Sequence, residues 1–565
     1  MGYALLWLET LGASLLLVAT LLACIGRLRW RWLRRTLGVA VALVPLVALT
    51  GLTVLAGLMQ FAWRINDRWF YPLLCLTILY ALGAAALFLR GLRRESEGVA
   101  VAAATWPQGR LAMALGVFIG LQMTTLWGID MQVQQRLAGL RSEARALALS
   151  VAPAPIPDAE NAALIYAEAF EAMKFTEDWE QAWHEKWWYW NALDESADVS
   201  WNDPSSPKCN YQDPDLESFL RHQAGVLAAL REAAARPDCY FDRAYYIRPS
   251  LCLRLRGLQE MHDGAKLLAL SARWNVAHGQ IDAAMTDIKA LCGMAEHVSN
   301  EPNWFCLNCA AGIDHWAIDA LSAALARGQV APDDLAGLRM GEGISYQQLL
   351  QRALRIDEAR FLDIVYEVGV QQEFDWLGAF AYPRPGCGVR ACLGRINQLF
   401  LLEDDLANIR QYYDWLRWLA VEPYYHAKQL NRYEEFEDSV RSHAGCLTRA
   451  FGPGGIALVA QNAATADARR RVARVAVTAA RYQAEQRGLP EGLEELTPDF
   501  IAAVPIDPFD GKPLKFKRTK RGLTIYSIGP DMIDDNGTPF DEETKKGDII
   551  FELPDREQNV AAAVY

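Results

Sequence analysis

Apolar residues are distributed unevenly along the chain, and their spacing predicts mostly helices. Four stretches, 4–26, 36–63, 71–92 and 111–130, are apolar almost throughout. A helix rises about 1.5 Å per residue, so roughly 20 apolar residues cross the hydrocarbon core of a bilayer. These stretches predict a four-helix transmembrane anchor over residues 1–130.

The distribution of charge predicts how such an anchor is oriented. The segments 27–35 and 90–110 are rich in arginine, whereas the whole chain has a formal net charge of −12. Positively charged loops stay in the cytoplasm. The pattern predicts a multi-pass protein of the bacterial inner membrane, in contact with the lipid bilayer, with both termini and the large domain outside the cytoplasm. The acidic remainder excludes a polycationic nucleic-acid binder, so no nucleic-acid partner is expected.

The polar part of the chain begins with a connecting segment and continues as helices. Residues 131–157 are predicted as a linker, helical at first and then broken by closely spaced prolines. Apolar positions at helical spacing follow from Asp158, which can cap the next helix. The interval 158–451 is therefore predicted as a large α-helical extracytoplasmic domain.

The clearest helical pattern lies around 251–330. It predicts one helix from Leu258 to His278, a second from Asp282 to Val298, and a third from Ala310 to Arg327, with Gly279 ending the first. The helix–Gly–helix pair, with small residues along both helices, resembles a tetratricopeptide-type hairpin. Arrays of such hairpins mostly bind partners.

A tryptophan cluster follows the first helix of this domain. Trp179, Trp183 and Trp187 are spaced four apart and share one helix face. They are candidates for an aromatic platform that binds a carbohydrate, a peptide or a membrane surface. The alternative, which the spacing favours, is that the rings pack into the core.

Carboxylates are frequent in the long helices after residue 345, for example at Asp357 and Glu358. Paired carboxylates serve acid–base chemistry or bind a metal. Acidic runs on helices are more often solvated faces, and that is the interpretation we favour here.

Four of the 11 cysteines form two short-range pairs, Cys306 with Cys309 and Cys387 with Cys392. Each pair is a candidate for a disulfide or a metal site. Cys306 and Cys309, with His297 and His315 nearby in sequence, leave open structural thiols, zinc binding and redox chemistry.

The composition changes again after residue 451. A long helix is predicted from Ile456 to Arg487, followed by strands at Leu514–Arg518, Leu523–Ile528 and Asp548–Leu553. The tight turn at 520–522 joins the first two strands as a hairpin. Residues 456–565 therefore predict a small α+β module with a three-stranded antiparallel sheet.

Several motifs of this module agree in order with one known family. They are Arg481-Tyr482, Gly488–Pro490, Leu493–Leu496, Asp507–Gly511, Tyr526–Asp531 and Asp548-Ile549. In this order they resemble the C-terminal domain of the major pseudopilin of type II secretion systems, and the chain as a whole looks like a bacterial multi-pass membrane protein.

The resemblance implies a calcium site in the last loop, 529–548. The candidate ligands are Asp531, Asp534, Asp535 and Asp548. Calcium takes six to eight oxygen ligands, which a loop of this composition can supply. A solvated acidic loop is the alternative.

The sequence thus predicts a mainly α protein that acts as a membrane-anchored extracytoplasmic scaffold or partner-binding protein of the bacterial envelope, with a protein partner. One alternative is an extracytoplasmic hydrolase that uses carboxylates or a metal. Another is an accessory component of a secretion or pilus-like machine. The sequence contains no nucleotide-binding loop and no Ser–His–Asp motif, and it does not decide whether the protein is an enzyme.

Overall fold

Helices account for most of the chain that the structure, a computed structural model, describes. The described residues are 131, 135, 137–173, 211–241, 257–327, 330–340, 343–371, 406–407, 409–443, 456–486, 488–541 and 543–555. Their helices, in chain order, are α1 (137–151), α2 (Ala162–Ala172), α3 (Pro214–His222), α4 (Ala224–Ala235), α5 (Leu258–Ala277), α6 (Ile281–Ser299), α7 (Trp304–Ala326), α8 (Pro332–Ala336), α9 (Tyr346–Gln371), α10 (409–421), α11 (Tyr424–Gln429), α12 (Arg432–His443) and α13 (Ile456–Gln486).

The chain divides into two units. One is formed by Leu140–Val368, Arg410–Ser442 and Pro453–Tyr565, and it contains nearly all of the described residues. The other, Met1–Gly139, Gly369–Ile409 and His443–Gly452, lies almost wholly outside them. The features described below belong to the first unit.

Helices α2 to α7 form a helical layer in which α2 and α3 pack on α4, α4 packs on α5 and α6, and α5, α6 and α7 pack on one another. The predicted hairpin is present as α5 and α6, and Gly279 between them adopts the left-handed conformation, with φ of 74°. Helices α4 and α6 approach so closely that a Cβ on Gly293 would lie 2.3 Å from the carbonyl oxygen of Ala234. Glycine at position 293 therefore permits close backbone contact between α4 and α6.

Two predicted helices begin at other residues, and the helix predicted from Ala310 begins at Trp304, after the cap residue Asn303. Helix α2 begins after Asn161 rather than at Asp158, because the Asn161 side chain accepts the hydrogen bond from the N–H of Ala163 at 3.0 Å. Helix α1, predicted as part of a linker, packs on α9 through Ala148 and Ile356, which belong to one buried cluster.

A three-stranded antiparallel sheet follows α13, in the order β1 (Lys515–Thr519), β2 (Gly522–Ser527), β3 (Ile549–Pro554). The central strand β2 is buried along its whole length, and α13 packs against β2 and β3. All three strands lie within one or two residues of the positions that the sequence predicts. The described part of the chain is thus mainly helical with a small three-stranded antiparallel sheet.

The predicted transmembrane anchor requires a correction. Among the residues that the structure describes, no helix is both long enough and apolar enough to cross a membrane. Helix α13 has 31 residues but carries several arginines and Asp467, which are costly in a hydrocarbon core. This finding contradicts the four-helix transmembrane anchor, and with it the multi-pass and inner-membrane predictions. The four apolar stretches within 1–130 lie outside the described residues.

Candidate functional site

A cavity of about 260 Å³ lies where α9, α13 and the segment around α11 meet the loop 506–508 that precedes the sheet. Three tyrosines, Tyr424, Tyr425 and Tyr433, form one part of its wall, the tyrosine wall. We call the whole cavity the tyrosine cavity. Four charged residues complete the lining that matters for its chemistry. They are Glu422, Asp467, Arg471 and Asp507.

Asp467 of α13 places the N-terminus of α9 against the cavity. Its two carboxylate oxygens accept hydrogen bonds from the backbone N–H groups of Tyr346, at 2.8 Å, and Gln347, at 3.3 Å. The first N–H groups of a helix have no partner within that helix, and a carboxylate there also opposes the positive end of the helix dipole. Burial raises the pKa of Asp467, while the nearby Arg471 and the two N–H groups oppose that shift.

A buried ionic contact holds the same helix end from the other side. The hydroxyl of Tyr346 donates a hydrogen bond to Asp314 of α7 at 2.6 Å, and the guanidinium of Arg470 also pairs with Asp314. The Arg470 guanidinium lies 4.2 Å from the centre of the Tyr346 ring, a cation–π distance. These contacts fix α7, α9 and α13 relative to one another and so give the cavity a defined shape.

Asp507 anchors the loop that closes the cavity. It is fully buried, and its oxygens accept hydrogen bonds from the N–H groups of Phe509 and Ile528 and from the Ser527 hydroxyl, all between 2.8 and 2.9 Å. Burial raises the pKa of Asp507, and these donors oppose the shift. Arg471 donates to the carbonyl oxygen of Ile506 at 2.6 Å and ties the loop to α13.

The tyrosine wall joins this loop to the helices. The ring of Tyr424 lies 5.7 Å from that of Tyr433 and meets Phe509 edge-on at 5.5 Å. Gly511 has φ of 71°, and a Cβ on it would lie 2.5 Å from the Tyr425 ring. Only glycine fits this close approach without strain.

The cavity combines aromatic faces with an excess of carboxylates. Arg471 follows Asp467 by one turn of α13, so the two charges largely offset each other. Asp507 and Glu422 contribute further negative charge, and the carboxylate of Glu422 contacts Nδ1 of His426. Such a wall is suited to holding a group by ring contacts and negative potential.

The candidate cysteine sites are only partly described. Cys306 and Cys309 both lie in α7 as buried thiols, with no disulfide between them. Burial raises the pKa of Cys309 to about 12, so its thiolate, the reactive form, is scarce near neutral pH. Cys387 and Cys392 lie outside the described residues, and so do Trp179, Trp183 and Trp187 of the aromatic platform.

The interpretation of the α9 carboxylates as a solvated face is wrong for Asp357 and Glu358. Both are buried. Asp357 accepts a hydrogen bond from the Tyr413 hydroxyl at 2.7 Å and pairs with Arg360, and Glu358 pairs with Arg417. Helix α9 is covered by α10 on this side, which the spacing of its own residues does not reveal.

Three of the four candidate calcium ligands, Asp531, Asp534 and Asp548, accept hydrogen bonds from backbone N–H groups of their own loop. Asp548 is buried and accepts from the N–H groups of Gly537, at 2.6 Å, and Asp535, at 3.3 Å. Asp531 accepts from Gly547, at 3.1 Å. Within the described residues, no group of three or more His, Cys, Asp or Glu side chains is arranged to hold a metal ion. Calcium binding stays a prediction.

The residues of the tyrosine cavity were not identified as a site from the sequence. In the sequence, Asp507 belongs only to the motif at 507–511, and Asp467 stands within an alanine- and arginine-rich helix without any motif around it. A lone aspartate in such a helix is a weak signal. It becomes informative only once its helix is known to be buried.

Comparisons with known proteins return no match for this chain: no family model, no curated protein and no solved structure is similar to it.

Proposed function

We propose that this chain is a partner-binding protein that binds a segment of another protein at the tyrosine cavity. The observation that carries the proposal is a preformed cavity with a tyrosine wall, held in shape by buried polar contacts on two sides. Binding sites are concave, largely apolar and preformed, with a few placed polar groups.

The exposed apolar residues at the rim of the cavity support the proposal that the partner is a protein. Val421 and Ile506 are 64% and 46% exposed, and both lie at its edge: Ile506 lines it, and Val421 stands between the lining residues Ala420 and Glu422. Tyrosine is enriched where protein interfaces carry most of their binding energy. A partner that inserts one side chain can cover these apolar residues with its neighbouring backbone.

The hydrolase alternative draws on the same cavity, because Asp467 and Asp507 both line it and both have raised pKa values. Each carboxylate, however, already accepts hydrogen bonds from backbone N–H groups on both of its oxygens. A general acid or base has to exchange a proton with a substrate. Because both oxygens of each carboxylate are occupied by backbone donors, we interpret Asp467 and Asp507 as structural anchors. The proposal of an accessory role in a secretion machine rests on the pseudopilin resemblance alone.

Site-specific photo-crosslinking in the native host tests partner binding. A photoreactive residue placed at Val421 or at Ile506 is expected to yield one adduct of the same mass, with the same protein identified from both positions. Phe305 provides the matched control, because it is also an exposed apolar residue, at 56%, but does not line the cavity.

Two results would contradict the proposal. One is the absence of an adduct at both rim positions. The other is an equally strong adduct at Phe305, which would show contact through exposed apolar surface in general.

A further inference from the structure

We propose that the tyrosine cavity recognises the cationic end of a basic side chain, a lysine or an arginine, presented by the protein partner. This inference rests on the proposed function and specifies the chemistry of the group that enters the cavity.

The first argument is the balance of charge. Three carboxylates, on Glu422, Asp467 and Asp507, line the cavity against the single guanidinium of Arg471. The Arg471 and Asp467 charges lie one helical turn apart and offset each other. Since the remaining carboxylates are negative, the interior attracts a cation and repels an anion.

The second argument is the position of the aromatic rings. Glu422 lines the same cavity as Tyr424 and Tyr433, whose ring centres lie 5.7 Å apart. Burial raises the pKa of the Tyr433 hydroxyl, and the nearby Tyr424 and Glu422 add to that shift. The faces of aromatic rings carry negative charge density and attract a cation placed over them, most strongly where water is excluded.

The third argument is size. At about 260 Å³, the cavity is slightly smaller than the roughly 300–1,000 Å³ typical of pockets for complete small-molecule ligands. It suits a single extended side chain whose methylene groups pack on the rings while its head group reaches Glu422. Exposed Val421 and Ile506 then contact the backbone on either side of that residue.

Calorimetric titration of the full chain with small blocked amino acids tests the inference. The probes are Nα-acetyl-lysine methylamide, Nα-acetyl-arginine methylamide, the norleucine analogue, which lacks the charge, and the glutamate analogue. We expect at least one of the two cationic probes to bind at millimolar concentration and to bind about tenfold more tightly than norleucine, while glutamate does not bind.

Two pairs of variants locate the binding. Glu422→Gln is expected to weaken binding of the cationic probe about fivefold, since it removes one charge beside the rings. Glu435→Gln on α12 is the matched control and should stay within about twofold, because Glu435 is exposed and does not line the cavity. Arg471→Gln should strengthen cation binding, whereas Arg474→Gln, one turn further along α13 and outside the lining, should leave it unchanged.

The outcomes separate this inference from the proposed function. Equal binding of lysine, arginine and norleucine probes, or weaker binding after Arg471→Gln, overturns the cationic ligand while crosslinking at Val421 and Ile506 can still show a partner. Tighter binding of 1,5-diaminopentane than of either blocked amino acid would assign the cavity to a free small amine and overturn a partner side chain. Binding of a cationic probe with no crosslinked adduct would contradict the proposed function itself.

Discussion

Two buried aspartates show how differently the helical layer and the C-terminal module stabilise negative charge. Asp287 in α6 and Asp507 before the sheet are both fully buried, and burial raises the pKa of both. Asp287 accepts hydrogen bonds from side chains only, those of Arg231, Ser271 and Asn275. Asp507 accepts mainly from backbone N–H groups.

The difference follows from where free backbone donors exist. Inside a helix every N–H group is used by the carbonyl four residues earlier, so a carboxylate between helices finds only side-chain donors. Loops and helix N-termini have N–H groups without such partners. Asp507 uses those of a loop, and Asp467 uses those at the start of α9. A backbone N–H is removed only by substitution with proline, which also changes the backbone, so the acceptors in the module are the residues to test.

Replacing Asp507 by asparagine should have the largest effect. The amide group of asparagine presents N–H where Asp507 accepts from two backbone donors and one hydroxyl, so at least one buried donor loses its partner. We expect a loss of about 4 kcal/mol in the free energy of unfolding, measured in urea at pH 7. Asp510→Asn is the control from the same turn, where one N–H and the Lys515 ion pair are affected, and it should cost about 1 kcal/mol. A smaller effect for Asp507 than for Asp510 would contradict this view of the module.

His297 in the helical layer should make the stability of the fold depend on pH. Its Nε2 donates to the Arg236 carbonyl at 2.9 Å, its Nδ1 accepts from the Tyr166 hydroxyl at 3.0 Å, and burial lowers its pKa to about 4. Between pH 6.5 and 4 the unfolded chain therefore binds a proton that the folded chain does not, so stability falls as the pH falls. The contribution is about 3 kcal/mol, fully lost below pH 4.

His297→Gln isolates this contribution, because glutamine can keep both hydrogen bonds but does not titrate. The difference in unfolding free energy between the wild type and this variant should shrink by about 3 kcal/mol between pH 7 and pH 4. The exposed His278 provides the control, and His278→Gln should retain the acid-dependent loss of stability, because His297 is intact in that variant. If His297→Gln retains the wild-type slope, another group carries the acid sensitivity.

Replacing Arg231 tests directly how far side-chain donors stabilise the buried Asp287 in the helical layer. Its Nε lies 2.6 Å from the Asp287 carboxylate, whose side chain is fully buried, whereas the Arg231 side chain is 31% exposed. Arg231→Met leaves Asp287 without its cation and should cost about 2 kcal/mol, less than a fully buried pair because water reaches the arginine. Combination with Asp287→Asn should recover more than half of that loss. The exposed pair of Arg221 and Glu217 is the matched control, and Arg221→Met should cost less than about 0.5 kcal/mol.

The local elements of this fold follow from sequence patterns, because they depend on neighbours in the chain. The α5–α6 hairpin and the three strands of the sheet were predicted within a few residues, since periodicity and turn residues act over short distances. Burial of charged residues was not predicted. Asp357 was assigned to a solvated face because α10, which covers it, is distant in sequence.

The tyrosine cavity shows the same limit for a site. The hydrogen bond between Asp467 and Tyr346 joins residues 121 positions apart, and the cavity also requires the segment around Tyr424 and the loop at Asp507. No single segment contains enough of these residues to form a motif. The site is a product of packing, and only the fold brings its parts together.

Calcium would give the carboxylates of the last loop a third kind of partner, beyond side chains and backbone N–H groups. Burial raises the pKa of Asp548, the charges of Asp534 and Asp535 add to that shift, and within the described residues the buried Oδ2 of Asp535 accepts no hydrogen bond. A dissociation constant of about 1 mM would stabilise the protein by about 1.4 kcal/mol at 10 mM calcium. Unfolding in urea should show this gain with calcium and lose it with a chelator or in Asp535→Asn. Asp541→Asn, in the same loop but outside the candidate ligands, should retain the gain in stability.

An equal gain from magnesium at the same ionic strength would indicate general screening of the acidic loop, and no gain at all would mean that backbone N–H groups alone stabilise these carboxylates.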